Sequence, residues 1–274
     1  MIDPGTGLTI LGSAIGGSKV VEKILGPTSE YIGDQIKEWT KKRVENTSKI
    51  FKNAEQKLGD KIFENGKVSS KVLKGILEDG TWCEEELQVE YFGGVLASSR
   101  TGVSRDDRGA YFVSLIGRLT TYQLRTHYLL YHLLKNHFNG QKINMDDGNN
   151  WSDLEIFLPF ETFYNAMDFT DKESENWSNL LSHSIWGLNK EDLLTGFSWG
   201  DKVHIQKNFK QANTNGILFQ PTKSGVELFM WAYGQGQEQV NVFFSENMVF
   251  NNNQQIIIGE SLSTREKKKE QEKR

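Results

Sequence analysis

The chain has 274 residues, of which 37% are hydrophobic and 25% charged, and its formal net charge is -4. This length allows one large domain or two ordinary ones. General nucleic-acid binders usually carry an excess of basic residues, because phosphate contacts supply much of their affinity, so the acidic balance argues against that class. The single cysteine, Cys83, excludes an intrachain disulfide and a zinc site built from several thiolates.

Residues 1–26 form an apolar, glycine-rich segment with helical spacing and a GxxxG pattern. Such a pattern lets another helix approach closely and is best known from membrane helices. The uncharged stretch within it is too short to span a bilayer. Packing against the rest of the chain is one interpretation, and self-association or membrane contact is the other. The residues that would make these contacts are Leu8, Leu11, Gly12, Ile15 and Gly16.

Residues 27–140 are predicted to form a helical bundle. Apolar residues recur every three or four positions from about residue 30 to Ile62, which predicts one long amphipathic helix ended near Gly66. A short helix is predicted over residues 68–77.

Two further helices complete the predicted bundle. The pattern from Thr81 to Glu84 matches a capping box and predicts a helix start. The run 111–138 is apolar on most sides, as expected of the central helix of a bundle.

The loop at 140–150 is the predicted boundary to an α+β C-terminal domain over residues 151–260. A capping box at Ser152 and Glu155 predicts a helix toward Met167, interrupted by Pro159. Helical pieces follow at 178–186 and 189–194, and an apolar helix at 222–233. Strands are predicted at 216–219, 240–244 and 255–258, and this order is compatible with a winged-helix-like module. A charged tail occupies 261–274.

No arrangement of residues indicates catalysis, a cofactor or a metal. His127, His132 and His137 are five residues apart, so on a helix neighbouring rings point in different directions. The acidic neighbours of Cys83 disfavour a thiolate, and a buried thiol is predicted. Asp106 and Asp107 are expected to cap a helix and form local salt bridges. The candidate contacts for a partner or an anion are Arg105, Arg108, Arg118 and Arg125, of which the last two are predicted to share one face of a helix and to pair within the bundle.

Three stretches resemble the abortive-infection alpha family of bacteria. They are LGPTSEYIGDQIKEWTKKRVENTSKIFKNAEQKLGDK, VLKGILEDGTWCEEELQVEYFGGVLASSRT and PTKSGVELFMWAYG. The similarity extends over residues 20–140 and, more loosely, 215–235. It implies a bacterial antiphage defence protein and supplies no catalytic residues.

We therefore expect a cytoplasmic defence protein that acts by protein–protein contact or self-assembly and is not an enzyme. One alternative is a membrane-acting effector that uses residues 1–26 after activation, which would make it a peripheral membrane protein. A nucleic-acid binder is the other alternative. It would use the lysines of the C-terminal module, which are Lys202, Lys207, Lys210 and Lys223.

Overall fold

The computed structural model describes residues 41–148, 154–250 and 263–266. They are mainly helical, with a small antiparallel sheet in the C-terminal part, which confirms the predicted fold class. Within these ranges no helix is both long and apolar enough to cross a membrane. The apolar N-terminal segment lies outside the described residues, and of the charged tail predicted over 261–274 only residues 263–266 are described, which form a short strand.

Contacts divide the chain into two compact units. Of the described residues, unit 1 contains 41–118 together with 230–238, and unit 2 contains 119–148, 154–229, 239–250 and 263–266. The first division falls between residues 118 and 119, whereas the sequence predicts a boundary in the 140–150 loop.

Four α-helices lie wholly within the described part of unit 1. Helix α1 packs on α3, α2 packs on α4, and α3 also packs on α4. Their bounds are α1 (Lys41–Leu58), α2 (Ser70–Asp79), α3 (Glu86–Ser98) and α4 (Gly109–Arg118).

Helix α1 is the described part of the long amphipathic helix predicted from the sequence. Its inner face buries Ile50, Phe51 and Ala54 completely. The helix ends earlier than predicted, because Gly59 adopts a left-handed conformation with φ of 49° and a 3-10 turn follows. Glycine favours helix termination at such a position, so the predicted end at Gly66 is wrong.

Helix α3 does not begin at Thr81, where the sequence predicts a capping box. It begins further along the chain, where the Gln88 side chain accepts a hydrogen bond from the Glu85 backbone N–H at 3.4 Å. Thr81 lies in a 3-10 turn. The Asn46 side chain of α1 donates hydrogen bonds to the carbonyls of Thr81 at 2.9 Å and Cys83 at 2.8 Å. This turn is therefore held by a distant side chain, which a local pattern cannot reveal.

The apolar run at 111–138 forms two helices instead of the single predicted one. Helix α4 ends at Arg118, and α5 (Thr121–His137) begins after Thr120. Thr120 is the N-cap: its hydroxyl accepts from the Gln123 backbone N–H, and the Gln123 side chain accepts from the Thr120 N–H at 3.0 Å. Such a reciprocal pair starts a new helix.

Unit 2 combines helices with the sheet. Its elements after α5 are β1 (Leu154–Pro159), α6 (Phe160–Met167), α7 (Asp171–Ser174), α8 (Trp177–Lys190), β2 (Leu194–Gly200), α9 (Lys202–Gln206), β3 (Gly216–Pro221), α10 (Lys223–Ala232) and β4 (Ser263–Glu266). Helix α10 confirms the helix predicted over 222–233, and its last three residues belong to unit 1.

Strands β2, β3 and β1 form an antiparallel sheet, and the short strand β4 pairs with the outer edge of β1. Of the predicted strands, only 216–219 is confirmed. Val240–Val242 is a 3-10 turn, and 255–258 lies outside the described residues. The strand order that suggested a winged helix is therefore not observed in the described part of the chain.

Residues 154–159 were predicted to be helical and instead form β1. All six residues are buried, including Glu155 of the predicted capping box. The apolar run LEIFLP is rich in strand-forming residues and ends at Pro159, after which α6 begins. Similarly, α8 ends at Lys190 and β2 starts at Leu194, so the helical piece predicted at 189–194 is wrong.

His127 lies at the centre of unit 2. Its ring is fully buried, and its Nε2 lies 3.0 Å from the Gly225 carbonyl oxygen. The ring also contacts the rings of Tyr131 and Phe229. Burial lowers the pKa of His127 to about 3, although the Gly225 hydrogen bond acts in the opposite direction. The imidazole is therefore neutral in the folded protein at neutral pH.

This histidine makes unit 2 sensitive to acid. Because the unfolded chain binds a proton near pH 6.5 and the folded chain near pH 3, the free energy of unfolding should fall as pH drops through that window. Between pH 7 and pH 5 the cost from this group should be about 2 kcal/mol. Chemical denaturation should show that His127→Gln loses about 2 kcal/mol less on this acidification than the wild type. Equal losses in the two proteins would contradict the assignment.

Candidate functional site

A continuous row of aromatic rings lies on the surface of unit 2. The ring centroids of Phe160 and Trp177 are 5.1 Å apart, and those of Trp177 and Tyr164 are 6.2 Å apart. Tyr164 contacts Phe169 at 5.6 Å, and Phe169 lies 6.4 Å from Tyr122. Every ring remains partly accessible, and 37% of Tyr164 is exposed. The row therefore offers apolar surface to a binding partner.

Local structure explains why these rings face outward. Helix α6 turns Phe163 and Met167 into the core, which leaves Phe160 and Tyr164, four residues apart, on the outer side. Asp168 ends α6 with a left-handed φ of 51°. The chain reverses there and brings Phe169 and then the first residue of α8, Trp177, back against α6.

The segment that carries these rings is strongly acidic. Residues 160–177 contain five acidic residues and one lysine, which gives them a net charge of -4. This equals the net charge of the entire chain, so the remaining residues are neutral overall. A net charge of -4 thus lies in the segment that carries most of the aromatic row.

One of these carboxylates, that of Glu173, is held by its neighbours. Tyr122 donates a hydrogen bond to it, and Thr170 donates from its N–H at 2.8 Å and its hydroxyl at 2.7 Å. The pKa of Glu173 is lowered, most strongly by the hydrogen bond from Tyr122 and then by those from Thr170. The charge of Arg125 adds to the effect. Glu173 therefore stays ionised and fixes Tyr122 at the end of the aromatic row.

The other four carboxylates are exposed and make no hydrogen bond or ion pair with the described part of the chain. Their charges are therefore available to an external group. We call the combined feature the acidic aromatic surface, which consists of Tyr122, Phe160, Glu161, Tyr164, Asp168, Phe169, Asp171, Glu173, Glu175 and Trp177.

The arginines predicted as contact residues do not form one site. Arg118 ends α4, where it donates to the Ser114 hydroxyl at 2.8 Å, and Arg125 lies on α5. The prediction that both share one helix face is wrong, because Thr120 starts a new helix between them. Arg105 is exposed in the turn before α4. Of the four, only Arg125 acts on the acidic aromatic surface, where its charge helps to lower the pKa of Glu173.

Arg108 forms part of a local network in unit 1. Its guanidinium donates two hydrogen bonds to Asp106, at 2.9 and 2.8 Å, and one to the Gln237 side chain at 2.7 Å. The pKa of Asp106 is lowered to about 2, most strongly by the hydrogen bonds from Arg108. Arg108 also lies 5.6 Å from the centre of the Trp231 ring. The local salt bridge predicted for Asp106 is confirmed, and it secures residues 231–237 in unit 1.

A buried ion pair joins α1 and α3. Lys57 Nζ lies 2.5 Å from Glu90 Oε1, and the two side chains are 5% and 3% exposed. Asn53 donates a hydrogen bond to the other oxygen of Glu90, and Lys57 lies 4.5 Å from the centre of the Tyr233 ring. Burial lowers the pKa of Lys57, whereas the charge of Glu90 raises it.

Lys57 borders a cleft of about 250 Å³ in unit 1. The Ser98 hydroxyl in the cleft donates to the Trp231 carbonyl at 3.0 Å and accepts from the Gly236 N–H at 3.0 Å, so it has no base to activate it. A second cleft, of about 630 Å³, lies between residues 140–144 and 241–247 of unit 2. Neither arrangement indicates a reaction.

The remaining residues considered in the sequence analysis show no sign of a reactive or metal-binding site in the described part of the chain. Cys83 is buried, as predicted, and burial raises its pKa to about 12. Among the described residues no three His, Cys, Asp or Glu side chains converge as metal ligands. Lys202, Lys207 and Lys210 are exposed, and Lys223 pairs with Asp146 at 2.6 Å. The candidate contacts Leu8, Leu11, Gly12, Ile15 and Gly16 lie outside the described residues.

Sequence reasoning missed the acidic aromatic surface. The clustering of acidic and aromatic residues at 160–177 was its only visible signal. No family model, curated protein or solved structure matches the chain.

Two lysine–glutamate pairs between α1 and α3 allow a matched test of burial. Lys57→Met should leave Glu90 buried without its cation and cost about 3–5 kcal/mol of unfolding free energy. Lys57→Met combined with Glu90→Gln should recover most of this loss, since no charge then remains buried. Lys49 and Glu86 form the exposed pair, with side chains 52% and 63% exposed, so Lys49→Met should cost less than about 1 kcal/mol. Denaturant titration measures all three, and similar costs for the two single variants would contradict the interpretation.

Proposed function

We propose that the chain is a cytoplasmic bacterial antiphage defence protein that acts by binding another protein through the acidic aromatic surface. The observation that carries this proposal is the row of five partly exposed aromatic rings beside free carboxylates. Aromatic residues are enriched in protein–protein interfaces, where they contribute a large share of the binding energy. The defence context rests on the similarity of residues 20–140 and 215–235 to the abortive-infection alpha family.

The charge of the surface favours contact with a different protein over self-assembly at this site. Two copies joined through the same face would bring two segments of net charge -4 together. A nucleic acid would meet the same repulsion. The membrane alternative depends on residues 1–26, which lie outside the described residues.

Two tyrosines on different units provide a matched test in a bacterial host exposed to phage. Tyr164→Ser removes the most exposed ring of the acidic aromatic surface, and Tyr111→Ser removes a ring in unit 1 that is 57% exposed. We expect Tyr164→Ser to reduce phage protection by about fivefold or more, as for an interface residue worth over about 1 kcal/mol. Tyr111→Ser should protect like the wild type.

Plaque counts measure protection, and thermal unfolding of both purified variants controls for folding. Full protection by a stably expressed Tyr164→Ser protein would contradict the proposed contact. A wild-type chain that gives no protection against any phage tested would contradict the defence role itself.

A further inference from the structure

We infer that the partner of the acidic aromatic surface is an arginine-rich protein segment. This inference rests on the proposed function and specifies the chemistry of the partner. The negative charge of the surface indicates that the partner is positively charged. Because residues 160–177 carry a net charge of -4, a cationic segment is attracted to this region.

The aromatic row favours the guanidinium of arginine over the ammonium of lysine. A guanidinium is planar and stacks on aromatic faces while it pairs with a carboxylate through two hydrogen bonds. An ammonium is a strongly hydrated point charge and gains less from a ring. Aromatic and exposed acidic residues alternate along the sequence of this segment: Glu161 precedes Tyr164 in α6, and Asp168 and Asp171 lie on either side of Phe169. An arginine side chain can therefore use both kinds of group at once.

The chain itself contains one arginine in this setting. Arg125 lies close enough to Glu173 to lower the pKa of its carboxyl, and Glu173 is also bonded to Tyr122 of the aromatic row. The charge of an arginine thus already acts on a carboxylate that is bonded to a ring of this surface. At the other positions the carboxylates of Glu161, Asp168, Asp171 and Glu175 make no hydrogen bond or ion pair with the described residues.

The other exposed aromatic cluster of unit 2 lacks this charge pattern. Trp186, which is 58% exposed, contacts Phe197 at 4.9 Å, and Phe197 stacks with Trp199 at 6.0 Å. Residues 186–199 contain one lysine and two acidic residues, so this cluster has no strong preference of sign. It provides an internal control for the role of charge beside exposed rings.

The test uses the full chain and two fluorescein-labelled peptides of equal charge, one alternating arginine with glycine and one alternating lysine with glycine. Fluorescence anisotropy at about 50 mM salt measures binding, since charge contacts are weakly screened there. We expect the arginine peptide to bind about threefold or more tighter than the lysine peptide, as cation–π contact predicts. Equal affinities, or no binding of the arginine peptide, would overturn the inference.

Charge variants locate the site. Asp171→Asn with Glu175→Gln should weaken binding of the arginine peptide by about tenfold, since two charge contacts are lost. Asp60→Asn with Glu64→Gln makes the same change of charge at exposed positions of unit 1 and should leave affinity within about twofold. Tyr164→Ser should abolish the preference for arginine over lysine, whereas Trp186→Ser should retain it. A similar loss in both charge variants would place binding elsewhere and overturn the inference.

These results separate the two proposals. If Tyr164→Ser loses phage protection while the arginine peptide binds all variants equally, the surface contacts a partner of different chemistry and only this inference fails. If Tyr164→Ser retains protection, the proposed contact fails regardless of how the peptide binds.

Discussion

The close approach of Gly94 to the backbone of Ala232 is the constraint on which unit 1 depends. A Cβ atom at Gly94 would lie only 1.6 Å from the Ala232 carbonyl oxygen, so α3 accepts the returning chain only where it lacks a side chain. The Ser98 hydroxyl, the Lys57–Tyr233 contact and the Arg108–Gln237 hydrogen bond hold the same segment along its length. Together they fix residues 230–238 in unit 1, although more than 100 residues separate them from residue 118 in the sequence.

In unit 2 the buried His127 and Tyr131 are hydrogen-bonded, whereas several carboxylates on the surface are not. Inside, His127 bonds the Gly225 carbonyl, and the Tyr131 hydroxyl donates to the Leu193 carbonyl and accepts from the Thr222 N–H at 3.1 Å. On the surface, most carboxylates of residues 160–177 make no hydrogen bond or ion pair with the described residues. Glu161 and Asp171 lie in the first turns of α6 and α7, where a negative charge is favourable, so the proposal of binding rests on the exposed rings that accompany these charges.

The sequence predicts those elements whose signals are local. The periodicity of α1 and α2, and the apolar run of α10, fix those helices without knowledge of the rest of the chain. Prediction from the sequence fails where a tertiary contact overrides a local motif. Thr81 matches a capping box, yet Asn46 holds it in a turn, and Glu155 matches another, yet it is buried within β1.

The candidate site also depends on tertiary structure that local sequence patterns do not reveal. The predicted pairing of Arg118 with Arg125 depends on their spacing along one continuous helix, and the capping box at Thr120 removes that assumption. The acidic aromatic surface depends on the chain reversal at Asp168 and on the packing of α6 against α5. Composition alone shows that residues 160–177 are acidic and aromatic, but only the fold shows that the rings form one row with Tyr122.

Site-specific photo-crosslinking during phage infection tests the central claim most directly. A photoreactive phenylalanine analogue at position 164 would lie within the acidic aromatic surface, and the same analogue at position 111 would report an exposed position in unit 1. The account predicts one discrete crosslinked protein at position 164, rich in arginine at the crosslinked segment, and none at position 111. No crosslink at position 164, or the same products at both positions, would contradict it.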